Sequence, residues 1–165
     1  MKGIVYKFGD DINTDLIISG RYKFSITDPS ELAKHVFEDA NPDFYKGLQG
    51  RQFFIVAGKN FGCGSSREQA PLAIKYAGGQ AVLAKSFARI FYRNAFNLGL
   101  PLIECDTSKV KSGDEIEVDL KKGLVNVAKG RSLNIKPFNK FQTALIEEGG
   151  IVNLYKKHGG LNIVT

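Results

Sequence analysis

The sequence predicts a mixed α/β fold with a βαβ core joined to an antiparallel layer. Three observations carry this. Between residues 51 and 104, short apolar runs alternate with helix-like runs, the order expected of parallel strands linked by crossover helices. Residues 115–120 and 124–128 then alternate apolar and polar with period two about Lys121-Lys-Gly123, which is a hairpin by pattern and loop length. Finally, 165 residues that are 43% hydrophobic and 24% charged suffice for one domain with its own core. No repeat, low-complexity tract or linker divides the chain, so residues 1–165 are read as a single domain.

Each element has a local cause. Residues 3–8 alternate and predict a first strand of edge character. Gly9-Asp-Asp-Ile-Asn-Thr-Asp15 is polar and turn-rich and reads as a loop, followed by a short apolar segment at 16–18 and a second loop at 19–28. Asp28-Pro-Ser-Glu31 places a capping residue, an early proline and a first-turn acid in order, predicting a helix through Ala40. Residues 41–50 connect. The central pattern is strand 51–57, glycine turn 58–66, helix 67–77, strand 80–84, helix 86–98 and strand 100–104. After the hairpin, residues 132–136 add a third strand, and 139–148 and 150–157 predict closing helices.

Composition narrows the function. The net charge is +6, but bases and acids are interspersed along the whole chain. That predicts a solvated mixed surface and a preference for anionic ligands, not a nucleic-acid interface. No apolar run approaches the roughly 20 residues that span a bilayer. Met1-Lys-Gly-Ile-Val-Tyr-Lys7 is too polar for a signal peptide, so a cytoplasmic protein is expected. The two cysteines, Cys63 and Cys105, form no CxxC pair and are expected to be reduced thiols that bind no metal. Cys63 reads first as a small filler. A nucleophile paired with His35 or His158 is the weaker reading, since neither histidine sits in a motif.

The chemistry concentrates in Asn60-Phe-Gly-Cys-Gly-Ser-Ser-Arg-Glu68, between a buried strand and a helix. Such a turn offers free N–H groups and a positive helix end to an anion. Arg67 adds a planar fork for a carboxylate or phosphate. Ser65 and Glu68 have capping-box spacing, the bland explanation. Capping alone does not call for two serines, two glycines and an arginine. The nucleophile elbow G-x-S-x-G is absent, which speaks against a hydrolase. A serine acting as a base fits better, with the helix end and Arg67 stabilising its alkoxide.

Two further segments accompany it. In Lys85-Ser-Phe-Ala-Arg-Ile-Phe-Tyr-Arg-Asn94, Ser86 is placed to cap the helix, and Phe87, Ile90, Phe91 and Asn94 share one face. Arg89 and Arg93, four apart, repel each other unless an anion or acidic partner lies between them. Pairing with the chain's own Asp or Glu accounts for them equally well. The third segment couples Asn13-Thr-Asp15 to the loop Arg21-Tyr-Lys-Phe-Ser25, which has the makings of a lid.

Together these residues resemble the aconitase superfamily, whose mobile domain carries a Gly-x-Gly-Ser-Ser-Arg-Glu turn and a Lys-Ser-Phe-Ala-Arg-Ile segment. Both stand here, at residues 62–68 and 85–90. In a free-standing chain of this length, the long form of the turn is similar to small subunits of the 3-isopropylmalate dehydratase and homoaconitase type. The resemblance implies a swivelling three-layer β/β/α domain and a hydro-lyase split over two chains. The partner would be a large subunit carrying a [4Fe-4S] cluster, in a heterodimer or heterotetramer, with no cofactor bound by this chain. It implies Ser65 as the base and Ser66, Arg67 and Gly64 as ligands of a hydroxy-dicarboxylate, with Thr14 and Asp15 nearby. The loop Arg21, Tyr22, Lys23, Phe24 and Ser25 would read the substrate's γ-group. Phe24 stands where homoaconitase-like chains have arginine, and an aromatic ring suits an isopropyl group. The expectation is therefore isomerisation of 2- and 3-isopropylmalate in leucine biosynthesis. Homoaconitase and 2,3-dimethylmalate dehydratase small subunits are the alternatives, a basic anion- or RNA-binding module is the weakest, and a homo-oligomer of the isolated chain is left open.

Overall fold

The run Phe53–Val56 is buried at every residue, and it forms an interior strand in the computed structural model, which describes residues 1–22, 24–128 and 130–160. Four strands are parallel: β1 (Lys2–Lys7), β2 (Phe53–Val56), β3 (Gly79–Ala84) and β4 (Leu102–Glu104). Three antiparallel strands continue the same sheet: β5 (Glu115–Asp119), β6 (Leu124–Val127) and β7 (Arg131–Asn134). The order is β4-β3-β2-β1-β5-β6-β7. The predicted hairpin is present, in the register Ile116 to Val127 and Val118 to Val125.

The sheet buries both faces, and the burial shows how it folds. Phe53, Ile55, Val82, Ala84 and Leu102 belong to one core, shared with the helices. Val5, Phe54, Val56, Ala81, Leu83 and Ile103 face the other way. There they meet Ile116, Val118, Val125, Val127 and Ile135 of the antiparallel part. The antiparallel strands therefore curl over the back of the parallel ones, giving the expected β/β/α stack. The alternation that suggested an edge strand at residues 3–8 reflects this instead. β1 lies between β2 and β5, and Val5 is sealed between the two β-layers while its neighbours face elsewhere.

The helices are α1 (Thr14–Ile17), α2 (Pro29–Ala33), α3 (Phe44–Leu48), α4 (Gln69–Tyr76), α5 (Arg89–Asn97), α6 (Lys140–Glu147) and α7 (Ile151–His158), with a 3₁₀ turn at Gly20–Tyr22. Three depart from the sequence reading, the first being α3, which forms inside the connection expected at residues 41–50. The helix predicted through Ala40 stops after Ala33. Phe37 adopts a φ of 53° and donates its N–H to the Ile17 carbonyl at 2.8 Å, not up the helix. In return its ring is fully buried, stacked on Phe8 at 4.4 Å and against Phe44 at 5.2 Å. The predicted loop at 9–15 ends in a short helix because the Asn13 side chain accepts from the Leu16 N–H at 2.8 Å.

What positions the site is the way the first three strands end. The segments that follow β1, β2 and β3 run on side by side past the sheet. Single parallel bridges join Asn13 to Cys63 and Phe61 to Phe87. Gly62 N–H donates to the Ile12 carbonyl at 2.7 Å and Thr14 N–H to the Cys63 carbonyl at 2.8 Å. On the other side, Phe61 N–H donates to Ser86 at 3.0 Å and Ala88 N–H to Phe61 at 2.9 Å. The carboxyl ends of parallel strands are where open α/β sheets bind ligands.

Candidate active site

The glycine turn is held from several directions. Asn60 takes a φ of 58°, its N–H donates to Ser86 Oγ at 2.9 Å, and its amide donates to the Asp11 carboxylate at 2.7 Å. Lys59 N–H donates to Asp10 Oδ1 at 2.7 Å. Gly62 has a φ of 79°, and a Cβ there would lie 2.2 Å from the Phe91 ring, so no other residue fits. Gly64 turns the chain again with a φ of 89°. The result presents Ser65 and Ser66 at the surface. The Ser65 carbonyl is fixed by two donors, Thr14 Oγ1 at 2.9 Å and Arg67 N–H at 2.8 Å. Among the described residues, the N–H groups of Ser65, Ser66 and Glu68 have no acceptor, so the turn is a donor-rich concavity.

The capping box that the Ser65 and Glu68 spacing offered as the bland explanation does not form. The helix begins at Gln69, with Glu68 as its N-cap residue and no side-chain cap. Pro71 sets this start. A helix capped by Ser65 would place Pro71 in its interior, where the missing N–H and the ring break the ladder. Starting at Gln69 leaves it in the first turn, where no N–H is needed. The capping box of the chain is instead Asn139 with Gln142, at 2.8 and 3.0 Å.

Arg67 lies directly behind the serines with its side chain 13% exposed. Its Nη1 donates to the Asp15 carboxylate and, at 3.4 Å, to the Ile18 carbonyl. Nη2 lies against Gly20, where a Cβ would come within 3.1 Å. Among the described residues, neither Nε nor Nη2 has an acceptor. Asp15 thus orients one nitrogen of the fork and leaves the other edge for a carboxylate. Thr14 and Asp15, expected near the site, are in contact with it: the first holds Ser65, the second Arg67.

The loop after Ile18 has its own clamp. Glu38 Oε2 accepts from the Tyr22 hydroxyl at 2.5 Å and meets His35 Nδ1 at 2.8 Å. Tyr22 stacks on the His35 ring at 3.9 Å. The Tyr22 hydroxyl, with help from His35 and Arg21, holds the Glu38 carboxyl below the usual range, and Glu38 in turn raises Tyr22. Arg21 pairs with Asp39 at 2.9 Å and Glu38 at 3.5 Å, so its charge is spent within the protein. Ser25 Oγ donates to the Arg21 carbonyl at 3.2 Å. Phe24 is 88% exposed. Lys23 lies outside the described residues.

On α5, Ser86 does not cap the helix as expected. It accepts from Asn60, and Ala88 takes the N-cap position with no side-chain bond. The apolar face is also narrower than predicted: Phe91, Ala95 and Phe96 are buried, whereas Ile90 is 54% exposed. The sequence reading missed Asp10, Asp11 and Ser86 as supports of the turn. Their signal was the polar Gly9-Asp-Asp11 run and a hydroxyl just after β3. No helix among the described residues is long and apolar enough to cross a membrane.

The aconitase C-terminal domain family matches residues 12–108, the stretch that holds the turn, Thr14, Asp15, Ser86 and α5. The chain belongs to the aconitase family. It is 57% identical over 164 residues to "3-isopropylmalate dehydratase small subunit 2" of Archaeoglobus fulgidus, covering 99% of each chain. It is 49% identical to the "methanogen homoaconitase small subunit" of Methanothermobacter thermautotrophicus, covering 95% of this chain and 91% of the other. A crystal structure of 3-isopropylmalate dehydratase from Methanocaldococcus jannaschii superposes with a TM-score of 0.89 at 47% identity, over 96% of this chain and 94% of that one. Within the aconitase family the chain thus falls among 3-isopropylmalate dehydratase small subunits, which are hydro-lyase components. An iron–sulfur cluster does not fit on this aconitase-family chain. It has two cysteines, fewer than the thiolates a cluster takes, and burial pushes the Cys105 thiol up to about 11. Among the described residues no group of His, Cys, Asp and Glu is arranged for a metal ion.

Proposed function

We propose that this chain is the small subunit of a two-chain hydro-lyase that interconverts 2-isopropylmalate and 3-isopropylmalate by dehydration and rehydration in leucine biosynthesis. The observation that supports it most is the turn itself. Two exposed serines sit on unbonded N–H groups with a half-free arginine behind them, in a chain 57% identical to a named 3-isopropylmalate dehydratase small subunit. Ser65 acts as the base, taking the proton from the carbon next to a substrate carboxylate. Its alkoxide is stabilised by the donors of the turn and by the nearby guanidinium. Ser66, the Gly64 backbone and the free edge of Arg67 hold the carboxylate. Asp15 keeps Arg67 aimed, and Thr14 keeps the turn in register.

Among the described residues, neither histidine is placed to protonate the leaving hydroxyl. His35 is engaged with Glu38, and His158 lies 3.6 Å from Glu148. The departure of hydroxide therefore falls to the large subunit, the partner that the small-subunit relatives imply. The resemblance gives that subunit a [4Fe-4S] cluster. Phe24 offers an apolar contact for the isopropyl group, whose burial is worth on the order of 2 kcal/mol. A homoaconitase role is the second reading, favoured by the methanogen relative at 49% identity.

The test is anaerobic co-expression with an iron–sulfur large subunit, following absorbance of the unsaturated intermediate. Turnover of isopropylmalate but not homocitrate, lost when either chain is omitted, is the expected result. Turnover of homocitrate alone keeps the enzyme class and overturns the substrate. Phe24→Arg is then expected to shift preference toward homocitrate, and an unchanged ratio would remove this loop from substrate reading.

A further inference from the structure

We infer that the exposed face of α5 formed by Arg89, Ile90 and Arg93 is the surface on which the large subunit docks, through an acidic patch with an apolar contact beside it. The inference rests on the two-chain reading above. Arg89 and Arg93 are four residues apart on one helix and both are exposed. Such a pair is mutually destabilising unless negative charge lies between its members. Among the described residues neither makes an ion pair, although a lysine or arginine pairs with a carboxylate in ten other contacts there. The equally weighted sequence alternative, pairing with the chain's own acids, is thereby removed.

Ile90 decides between a small anion and a protein. It lies three residues from Arg93 on the same exposed side, opposite the buried Phe91 and Ala95, and is 54% exposed. An isoleucine flanking two arginines gives nothing to a free dicarboxylate, which wants donors on all sides. Two cations edged by an apolar side chain suit a protein surface, where apolar contact and charge lie side by side. The location argues the same way. The first turn of α5 is bonded to the glycine turn through Ala88 N–H and the Phe61 carbonyl at 2.9 Å. Gly64, Ser65 and Ser66 stand open to solvent. A partner that covers them to exclude water from the reaction reaches α5 without leaving the protein surface. Its acids would lie between Arg89 and Arg93, relieving their repulsion on docking.

The test uses the full chain with the purified large subunit. The dissociation constant is measured at low and at physiological ionic strength, together with kcat and substrate KM at saturating large subunit. For Arg89→Glu with Arg93→Glu, binding is expected to weaken on the order of 100-fold at low salt, the gap narrowing as salt rises. Ile90→Ser is expected to weaken binding about tenfold with little salt dependence. Both variants should retain kcat and KM once saturated. Wild-type binding with equal binding of both variants would overturn the docking face alone. Unchanged binding with a raised substrate KM would overturn it and place the arginines on the substrate. No binding by the wild-type chain would fail the two-chain reading itself. Arg89→Gln with Arg93→Gln, a gentler change, serves if the charge reversal does not fold; it should weaken binding in the same salt-dependent way, and unaltered binding would equally overturn the assignment.

Discussion

Ser65 owes its exposure to the glycines that precede it in the turn and to Thr14. Gly62 lets the chain pass beneath Phe91, Gly64 reverses it, and Thr14 pins the Ser65 carbonyl while leaving its hydroxyl outward. A base that depends on such support should be separable from the fold. Ser65→Ala is expected to lower turnover by about 10²- to 10⁴-fold, the span of general-base contributions, with substrate and large-subunit binding nearly unchanged. Arg67→Lys should instead raise KM, because an ammonium cannot both pair with Asp15 and reproduce the free edge of the fork. Steady-state kinetics on the assembled enzyme distinguishes the two. Turnover retained in the serine variant would take the base role away from Ser65. The residues of this site were legible in sequence because they are contiguous: Asn60 to Glu68 is one turn, and its strand and helix are its immediate neighbours. The cap that the Ser65 spacing left open is ruled out locally by Pro71, which fixes the helix start two residues after Arg67.

The elements around the turn divide into those fixed by their own sequence and those fixed by something distant. β2, the glycine turn, α4, β3, α5 and β4 follow from local pattern and were expected within a few residues of their observed ends. The end of α2 was not, because it depends on Phe37 bonding to Ile17, twenty residues back. The loop at Gly20–Tyr22 is likewise set from outside, by Glu38. That carboxylate carries a testable pH signature. Its folded pKa lies below the ordinary carboxylate value, chiefly through the Tyr22 hydroxyl bond. The folded state therefore binds that proton less readily than the unfolded chain. The stabilisation is complete above the unfolded pKa and is lost as pH falls through the folded one. Glu38→Gln removes this titration. Thermal unfolding across pH should show wild type and variant separated at neutral pH and converging in acid below the ordinary carboxylate range. Parallel curves would mean that the Tyr22–Glu38 contact does not clamp the loop in solution. Since Phe24 follows this clamp by two residues, loosening it should also raise KM for the branched substrate more than it alters kcat.

At the scale of the molecule, the decisive feature is the return of the chain from β4, at one edge of the sheet, to β5 beside β1. Sequence showed a change of character near Gly113 but not where the hairpin would lie, since β5 finds β1 more than a hundred residues away. Two side chains hold the crossing. Lys7 Nζ donates to the Thr107 and Val110 carbonyls at 3.1 and 2.6 Å. Thr107, buried to 1%, donates its hydroxyl to the Ala57 carbonyl at 2.7 Å. Ala57 ends the β2 segment and opens directly into the glycine turn, so the crossing, the inter-layer core and the site share one anchor. Thr107→Val keeps the shape and removes the donor, leaving a buried carbonyl without a partner. An unsatisfied buried group of this kind costs about 1–3 kcal/mol. Denaturant unfolding should show a loss in that range, while Thr107→Ser, which keeps the hydroxyl and gives up one methyl, should recover most of the hydrogen-bond share. If valine were more stable than serine, the methyl rather than the hydroxyl would be the anchor. The crossing would then be held by packing, and the glycine turn would draw its rigidity from its neighbours Asp10, Asp11, Thr14 and Ser86 without this anchor.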